Sequence, residues 1–425
     1  MLGVGGFLVF GRGEADNPPS AVTEPPAAGD ATLVRVTDDW AVEVVVADGS
    51  VATITAVPPD SDKPGPITGD GRYIAIRRDL GILVIVDPVA GSMTELVLGG
   101  ATNMGSLRFG DSVVFGDPFA TASPVVVDLA TAELSAVVPT LGLPADTTFD
   151  DPWAGRDGAV SMWSRHGTAR FVAGAGADMW WLEGRVADMS GDVSLLHSEG
   201  ESWQLRRMVR DEQSGQSVTV EPFMRGHLLG DDRAVLVTAR GVITEVNFTD
   251  GSQRLLSDVE LVDVQFADVT DDRVVLIDAV HVRVMLFDGT ELAAYEATDL
   301  YDDGEEIQPR PVGTRCALYG VTGGATDRSV LIDLSNGAVL AQVPGRLGAY
   351  RSTDGCSAII VTGSGTSLVI DGVVQTLPGD VYAVAPDFSQ AVLRVDDMFV
   401  LHTVSTASSV PLGEEFDFYQ WVRTG

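Results

Sequence analysis

Apolar residues in this chain come in short alternating runs that stop at a small polar turn and then resume. Ser329–Val343, "SVLIDLSNGAVLAQV", holds one such pair of runs. Val84–Leu98, "VIVDPVAGSMTELVL", and Val125–Val138, "VVVDLATAELSAVV", repeat the design with other residues, and weaker echoes start at Glu43, Thr244 and Val282. In each, a β-branched run ends at Asp or a nearby acid, passes through small residues and continues as an alternating strand. A period of two bounded by Asp, Asn and Gly predicts an antiparallel hairpin.

A second phrase precedes these hairpins, an Asp- and Gly-rich turn that opens another apolar strand. Examples are "TGDGRYIAI" from Thr68, "FGDSVVF" from Phe109, "GDDRAVLV" from Gly230 and "APDFSQAVLRV" from Ala385. From Gly71 its occurrences fall near 111, 158, 232, 272, 314, 355 and 388, so most steps are close to forty residues. The step from 158 to 232 is nearly double, and "SGDVSLLHSE" around Gly191 falls inside it. A period of about 40 to 45 residues with roughly four strands per unit points to propeller blades. Helical repeats have similar periods. No sustained apolar spacing of three and four occurs here, however, and 47 glycines and 21 prolines interrupt the chain too often for stacked helices. A blade cannot cover both of its faces alone, so blades stack on one another around an axis, and the pattern must recur.

A "DG" or "PD" turn before one strand and "D-x-x-x-G" before the next resembles the WD40-like, TolB-like and quinoprotein-like propellers, over roughly residues 31–425. The likeness is to a superfamily pattern. No Trp-Asp dipeptide occurs and the only Gly-His is Gly226–His227, so no family's functional residues carry over. The resemblance implies an all-β fold, a β-propeller of four-stranded antiparallel blades. Counting every phrase gives nine or ten units; the merging of weak ones in the middle favours eight blades, within a range of seven to nine. The terminal "EEFDFYQWVRTG" is expected to lie beside "ATLVRVT" near residue 31 and close the ring, leaving no exposed sheet edge.

Charge narrows the partners. The chain carries 27 basic and 61 acidic side chains, a formal net charge of −34, which repels phosphate backbones and anionic lipid and excludes nucleic acid as the expected ligand. The excess also keeps a Val- and Ala-rich protein soluble. Lys63 is the one lysine; arginine in its place, with abundant Ala, Gly, Val and Asp, resembles the bias of a GC-rich genome such as an actinobacterium's.

Leu2–Phe10 is an apolar run far short of the ~20 residues that span a bilayer, and no basic residues precede it as they would in a signal peptide. Glu14–Ala31 has the Pro-, Ala- and acid-rich composition of a stalk. The expected organisation is an apolar stub at 1–13, the remnant of an anchor or signal, a linker at 14–30, and one propeller at 31–425. That organisation suggests an extracytoplasmic protein, touching a membrane only through an N-terminal anchor. Two cysteines, Cys316 and Cys356, are too few for a disulfide framework. They occupy the same place in the same phrase one repeat apart, so neighbouring blades could bring them within the ~7 Å Cα limit of a bridge. Two buried thiols are the other reading.

Catalytic motifs are scarce. No Gly-x-Ser-x-Gly elbow and no Gly-x-x-x-x-Gly-Lys loop occurs, and His166, His197, His227, His281 and His402 show no ligand spacing. Asp299, Asp302, Asp303, Glu305 and Glu306 share one loop, and Asp150 and Asp151 another, which offers calcium as the one cofactor to consider. Neither loop keeps a calcium-loop register, and a solvated acidic loop is the simpler reading. Segment 149–222 breaks the rhythm and holds five of the seven tryptophans with seven arginines. Trp163, Trp180, Trp181, Trp203, Arg206 and Arg207 are the candidate binding residues, since Trp and Arg are favoured at hot spots. Their alternative role is to fill the core of an irregular blade, with arginine stems packed over them.

The expected function is a non-enzymatic, extracytoplasmic, monomeric binding module for a protein or a cell-envelope glycan. The alternatives are a secreted carbohydrate-active hydrolase or lyase with carboxylates gathered at the channel mouth, and a structural or sensory ectodomain.

Overall fold

In the computed structural model the described residues lie between 31 and 423, apart from short segments of which the longest are 57–64, 117–123 and 297–305. The stub at 1–13 and the linker at 14–30 fall outside them. The described residues form ten four-stranded antiparallel sheets. Sheet 1 combines Ala31–Val36, Ala41–Val45 and Val51–Ala56 with the C-terminal strand Phe418–Arg423. Sheets 2 to 10 follow in chain order at 65–97, 105–136, 153–182, 185–220, 225–257, 266–296, 306–344, 346–377 and 380–413, each four consecutive strands.

Ten sheets stand against the eight blades that the sequence favours. The weak phrases in the middle do not merge: residues 153–220 form two complete sheets, and Gly191 sits in the first turn of the second, with φ +45°. The stretch that reads as irregular is therefore two four-stranded sheets, the second with a bulge between Val186 and Asp188, that carry unusual side chains.

First strands are among the places where neighbouring sheets touch. Arg225–Leu229 meets both Arg185–Ser190 and Phe266–Val269, and Gly65–Ile67 meets Gly105–Phe109. In sheet 1 the edge strand in that place is Phe418–Arg423, which pairs antiparallel with Ala31–Val36 from Ala31↔Arg423 to Val36↔Phe418. It also meets Asp380–Val384, the first strand of sheet 10. The C-terminal segment thus lies where the sequence puts it.

Alternation explains the packing. Strands show both faces of each sheet to neighbours, so central strands read as unbroken apolar runs: Val125–Val127, Leu83–Val86 and Ala234–Val237 are all buried. Apolar cores lie between sheets rather than inside one. Ile76, Val84 and Val422 join sheets 1 and 2; Val235, Ile243 and Met285 join sheets 6 and 7; Leu33, Phe399 and Tyr419 join sheets 10 and 1. Each Val, Leu or Ile so buried stabilises by roughly 1.5–3 kcal/mol relative to exposure.

The acid that ends each β-branched run caps the turn that follows. Asp87 Oδ1 accepts the N–H of Val89 at 2.9 Å and Ala90 at 3.0 Å, Asp128 that of Thr131 at 2.8 Å, and Asp333 that of Ser335 at 2.8 Å. Asp250, Asp288 and Asp387 repeat the contact two residues on. Part of the acidic excess is therefore built into the turns.

Other polar groups clip one sheet to the next. Asp111 of sheet 3 accepts the Arg72 N–H of sheet 2 at 2.7 Å, and Asp188 of sheet 5 accepts the Leu228 N–H of sheet 6 at 2.8 Å. Buried Arg108 donates to the Tyr73 carbonyl at 2.6 Å and to Gln420 Oε1, on the C-terminal strand, at 3.4 Å. Between sheets 8 and 9 the link is covalent: Cys316 and Cys356 form a disulfide, Cα–Cα 5.0 Å, inside a core that includes Leu331, Ile360 and Val369.

Candidate functional site

The tryptophans and arginines singled out in the sequence are spread over sheets 4 and 5. Trp163, near the turn between the second and third strands of sheet 4, is 38% exposed and carries the Arg185 guanidinium 5.5 Å from its ring centroid. Trp180 is half-buried on the fourth strand, cross-strand from Arg170. Two guanidiniums lie over its ring, Arg170 at 5.2 Å and Arg210 at 5.0 Å from the centroid. Arg170 is fully buried and donates to Ser194 Oγ and the Gly191 carbonyl of sheet 5. Burial lowers its pKa to about 10, against the attraction of Asp192 and Asp188.

Trp181 meets Phe149 edge-on at 6.4 Å and covers the core between sheets 3 and 4. Gly167 has φ +149°, and a Cβ there would lie 2.6 Å from the Trp181 ring, so this turn needs glycine. Trp203 stacks on His197 at 5.6 Å and meets Phe223 at 5.4 Å. Arg206 donates to the Glu183 carbonyl, and Arg207 to that of Asp231. These six residues join sheets 4, 5 and 6 and do not meet at one place. Asp299, Asp302, Asp303, Glu305 and Asp151 fall outside the described residues. Among the described residues no group of three or more His, Cys, Asp or Glu could hold a metal ion.

A different place has the shape of a site. A groove of about 720 Å³ opens where the first turns of sheets 5 and 6 approach the last turn of sheet 7. Val193, Leu229, Leu255, Leu256 and Phe287 supply its apolar wall, and Leu255 is 58% exposed. A large aliphatic side chain held in water beside other apolar groups is a binding feature when it borders a concavity.

Its polar wall comes from three strands of sheet 6. Glu245 lies opposite Arg254 on the neighbouring strand, and Arg233 lies diagonally across on the other side. Glu245 is buried; Oε1 accepts from Arg233 Nη1 at 2.9 Å, and Oε2 from Arg254 Nε at 2.9 Å and Nη2 at 2.6 Å. The two arginine side chains remain 49% and 72% exposed. Asp231 and Asp288 border the groove at its turn side. The Thr290 backbone N–H and hydroxyl hold the Asp288 carboxyl below the usual carboxylate range.

With both oxygens filled by guanidinium donors, Glu245 holds the two arginines in place. Two exposed guanidiniums in a groove with apolar side chains can bind a ligand. The sequence phrases "GDDRAVLV" and "TEVNFTDGSQRLL" contain all three charged residues, but their meeting depends on strand register.

No protein-family model matches the sequence, and no curated protein matches it either. Similar solved structures include a eukaryotic initiation factor, 11% identical, covering 92% of this chain and 98% of that one with a TM-score of 0.47. The dihydro-heme d1 dehydrogenase NirN in complex with DHE is 15% identical, with 77% of each chain covered and a TM-score of 0.40. Apo AztD from Citrobacter koseri is 13% identical, covering 74% of this chain and 94% of that one with a TM-score of 0.35. None of these lends its activity or partner to this chain, whose function is read from its own residues.

Proposed function

We propose that this chain is a non-enzymatic β-propeller that works outside the cytoplasm and captures a protein partner in the groove of sheets 5 to 7. The observation that carries the proposal is a groove whose lining holds apolar Leu229, Leu256 and Phe287, exposed Leu255 on the other face of its strand, and two guanidiniums fixed by buried Glu245. Fixed arginines beside an apolar wall lose little freedom on binding, so their contacts count toward affinity. Phe287 is the sole aromatic among the described lining residues, and an aliphatic wall suits a peptide better than a sugar ring. Extracytoplasmic location is supported by the disulfide between sheets 8 and 9, since such bonds persist in oxidising compartments.

The test compares the full chain with its Leu255→Asp variant, both immobilised and exposed to a cell-envelope extract. The wild type is expected to retain a protein that Leu255→Asp loses, with equal melting temperatures. Identical retained sets would remove the groove from the function.

A further inference from the structure

We infer that the segment seated in this groove presents a basic side chain, its aliphatic stem on Leu229, Leu256 and Phe287 and its cationic head at Asp231 and Asp288. This rests on reading the groove as a docking site and adds the chemistry of what docks. Leu229, Leu256 and Phe287 are partly buried and lie against the apolar core that Val235, Ile243 and Met285 build between sheets 6 and 7. Leu255 points to the opposite face of its strand from Arg254, and the bulge beside it lets Leu256 turn to that core. The groove therefore has an apolar floor that water still reaches.

Charge selects what lies on that floor. Arg233 is answered by Glu245 and by Asp232, whose Oδ1 lies 3.9 Å from its Nε, and Arg254 is answered by Glu245. Asp231 and Asp288 are exposed on the groove, and among the described residues no cation pairs with either carboxylate. Asp288 accepts the Thr290 N–H at 2.9 Å, a neutral donor. Arg207 comes near, but its Nε donates to the Asp231 backbone carbonyl. Counting Arg207, four carboxylates stand against three guanidiniums here, so the groove remains negative.

A lysine or arginine side chain meets both demands, because its methylene stem packs on apolar surface while its charged head stays at the wet rim. An acidic side chain would add a fifth carboxylate, and an apolar one would leave Asp231 and Asp288 unanswered. The guanidinium donors that Arg233 and Arg254 do not spend on Glu245 suit backbone carbonyls of the segment, which bring no net charge. The net charge of −34 draws a basic partner from a distance. At 0.15 M salt the Debye length is about 8 Å, so the local carboxylates decide the fit at contact.

The test is fluorescence anisotropy of the full chain at 0.15 M salt with labelled, end-blocked decapeptides of one neutral sequence that differ only in the central residue: Lys, Arg, norleucine or Glu. Norleucine keeps a stem and removes the charge. At least one basic peptide is expected to bind roughly fivefold or more tightly than the norleucine peptide. Asp231→Asn with Asp288→Asn should abolish that preference at unchanged melting temperature. Asp39→Asn with Asp146→Asn removes as many charges from exposed turns of other parts of the chain and should leave the preference intact.

A preference that survives the first pair of substitutions, or falls equally with the second, belongs to the overall charge and overturns the inference. Equal binding of the basic and norleucine peptides, tighter binding of the Glu peptide, or failure of every peptide to bind also overturns the cation. Docking in the groove is judged separately, by retention from the envelope extract.

Discussion

Cys316 and Cys356 hold the same place in successive repeats, and a disulfide joins them across sheets 8 and 9 with their Cα atoms 5.0 Å apart. The bond closes a loop 40 residues long, which in the chain-entropy account restricts the unfolded chain by about 4 kcal/mol. Both sulfurs are fully buried, so reductant reaches them only when the two sheets part. Replacing both cysteines by alanine is expected to lower unfolding free energy by about 2–4 kcal/mol. Urea titration of the double variant beside the wild type measures this; equal midpoints would show that apolar packing alone holds these sheets together.

Asp87 tests the capped turns. Burial would raise its carboxyl, but the Ala90 N–H, the Arg72 guanidinium at 2.6 Å and the Val89 N–H outweigh that and hold it below the usual range. A carboxyl depressed in the folded state adds stability that is present above its unfolded pKa, about 3.9, and is lost as pH falls through the folded value. Asp87→Ala should therefore cost about 1–3 kcal/mol at pH 7 and less below pH about 3. Asp87→Asn keeps an acceptor for the turn and should recover part of the loss. A penalty for Asp87→Ala that stays constant from pH 7 to pH 2.5 would separate the turn's stability from the ionised carboxylate.

Arg170 and Trp180 test whether the unusual segment is interior. Arg170→Ala opens a void under the Trp180 ring and strands the partners at Ser194 and Gly191, at a cost of about 2–4 kcal/mol. Arg170→Met keeps the stem and removes a charge that burial disfavours, so its loss should be smaller. Tryptophan fluorescence reports the change directly, since Trp180 loses one of its two cationic neighbours in both variants. Equal destabilisation by Ala and Met would place the cost in the hydrogen bonds and not in packing.

What the sequence discloses follows the range of the interactions. Hairpins, their Asp-capped turns and the forty-residue period are local, and they stand in the structure as read, down to the C-terminal strand beside Ala31–Val36. Sheet number was harder, because residues 153–220 trade the usual apolar run for Trp and Arg while keeping the strand geometry. Arg170 in the interface between sheets 4 and 5 looks from sequence like a surface residue. The groove was out of reach for another reason: Arg233, Glu245 and Arg254 meet only through cross-strand register, and Phe287 comes from the next sheet. A one-residue slip of the Gln253–Ser257 strand would turn Arg254 to the other face and Leu255 toward Glu245.

His402 gives a prediction for mild acid. It is buried in the third strand of sheet 10, where Nδ1 lies 2.9 Å from Ser409 Oγ, and burial lowers its pKa. Above pH about 6.5 the ring is neutral in both the folded and the unfolded chain and adds no pH dependence. Below that, the unfolded chain takes up a proton that the folded one resists, so stability falls until the folded pKa is reached. His402→Gln keeps a polar side chain that can meet Ser409 and removes the titration. Urea midpoints at pH 7.5 and 5.5 should therefore drop further for the wild type than for His402→Gln. The two proteins differ only at residue 402, so the difference between the two drops isolates this ring. Identical drops would mean that His402 accepts its proton as readily inside the fold as in water.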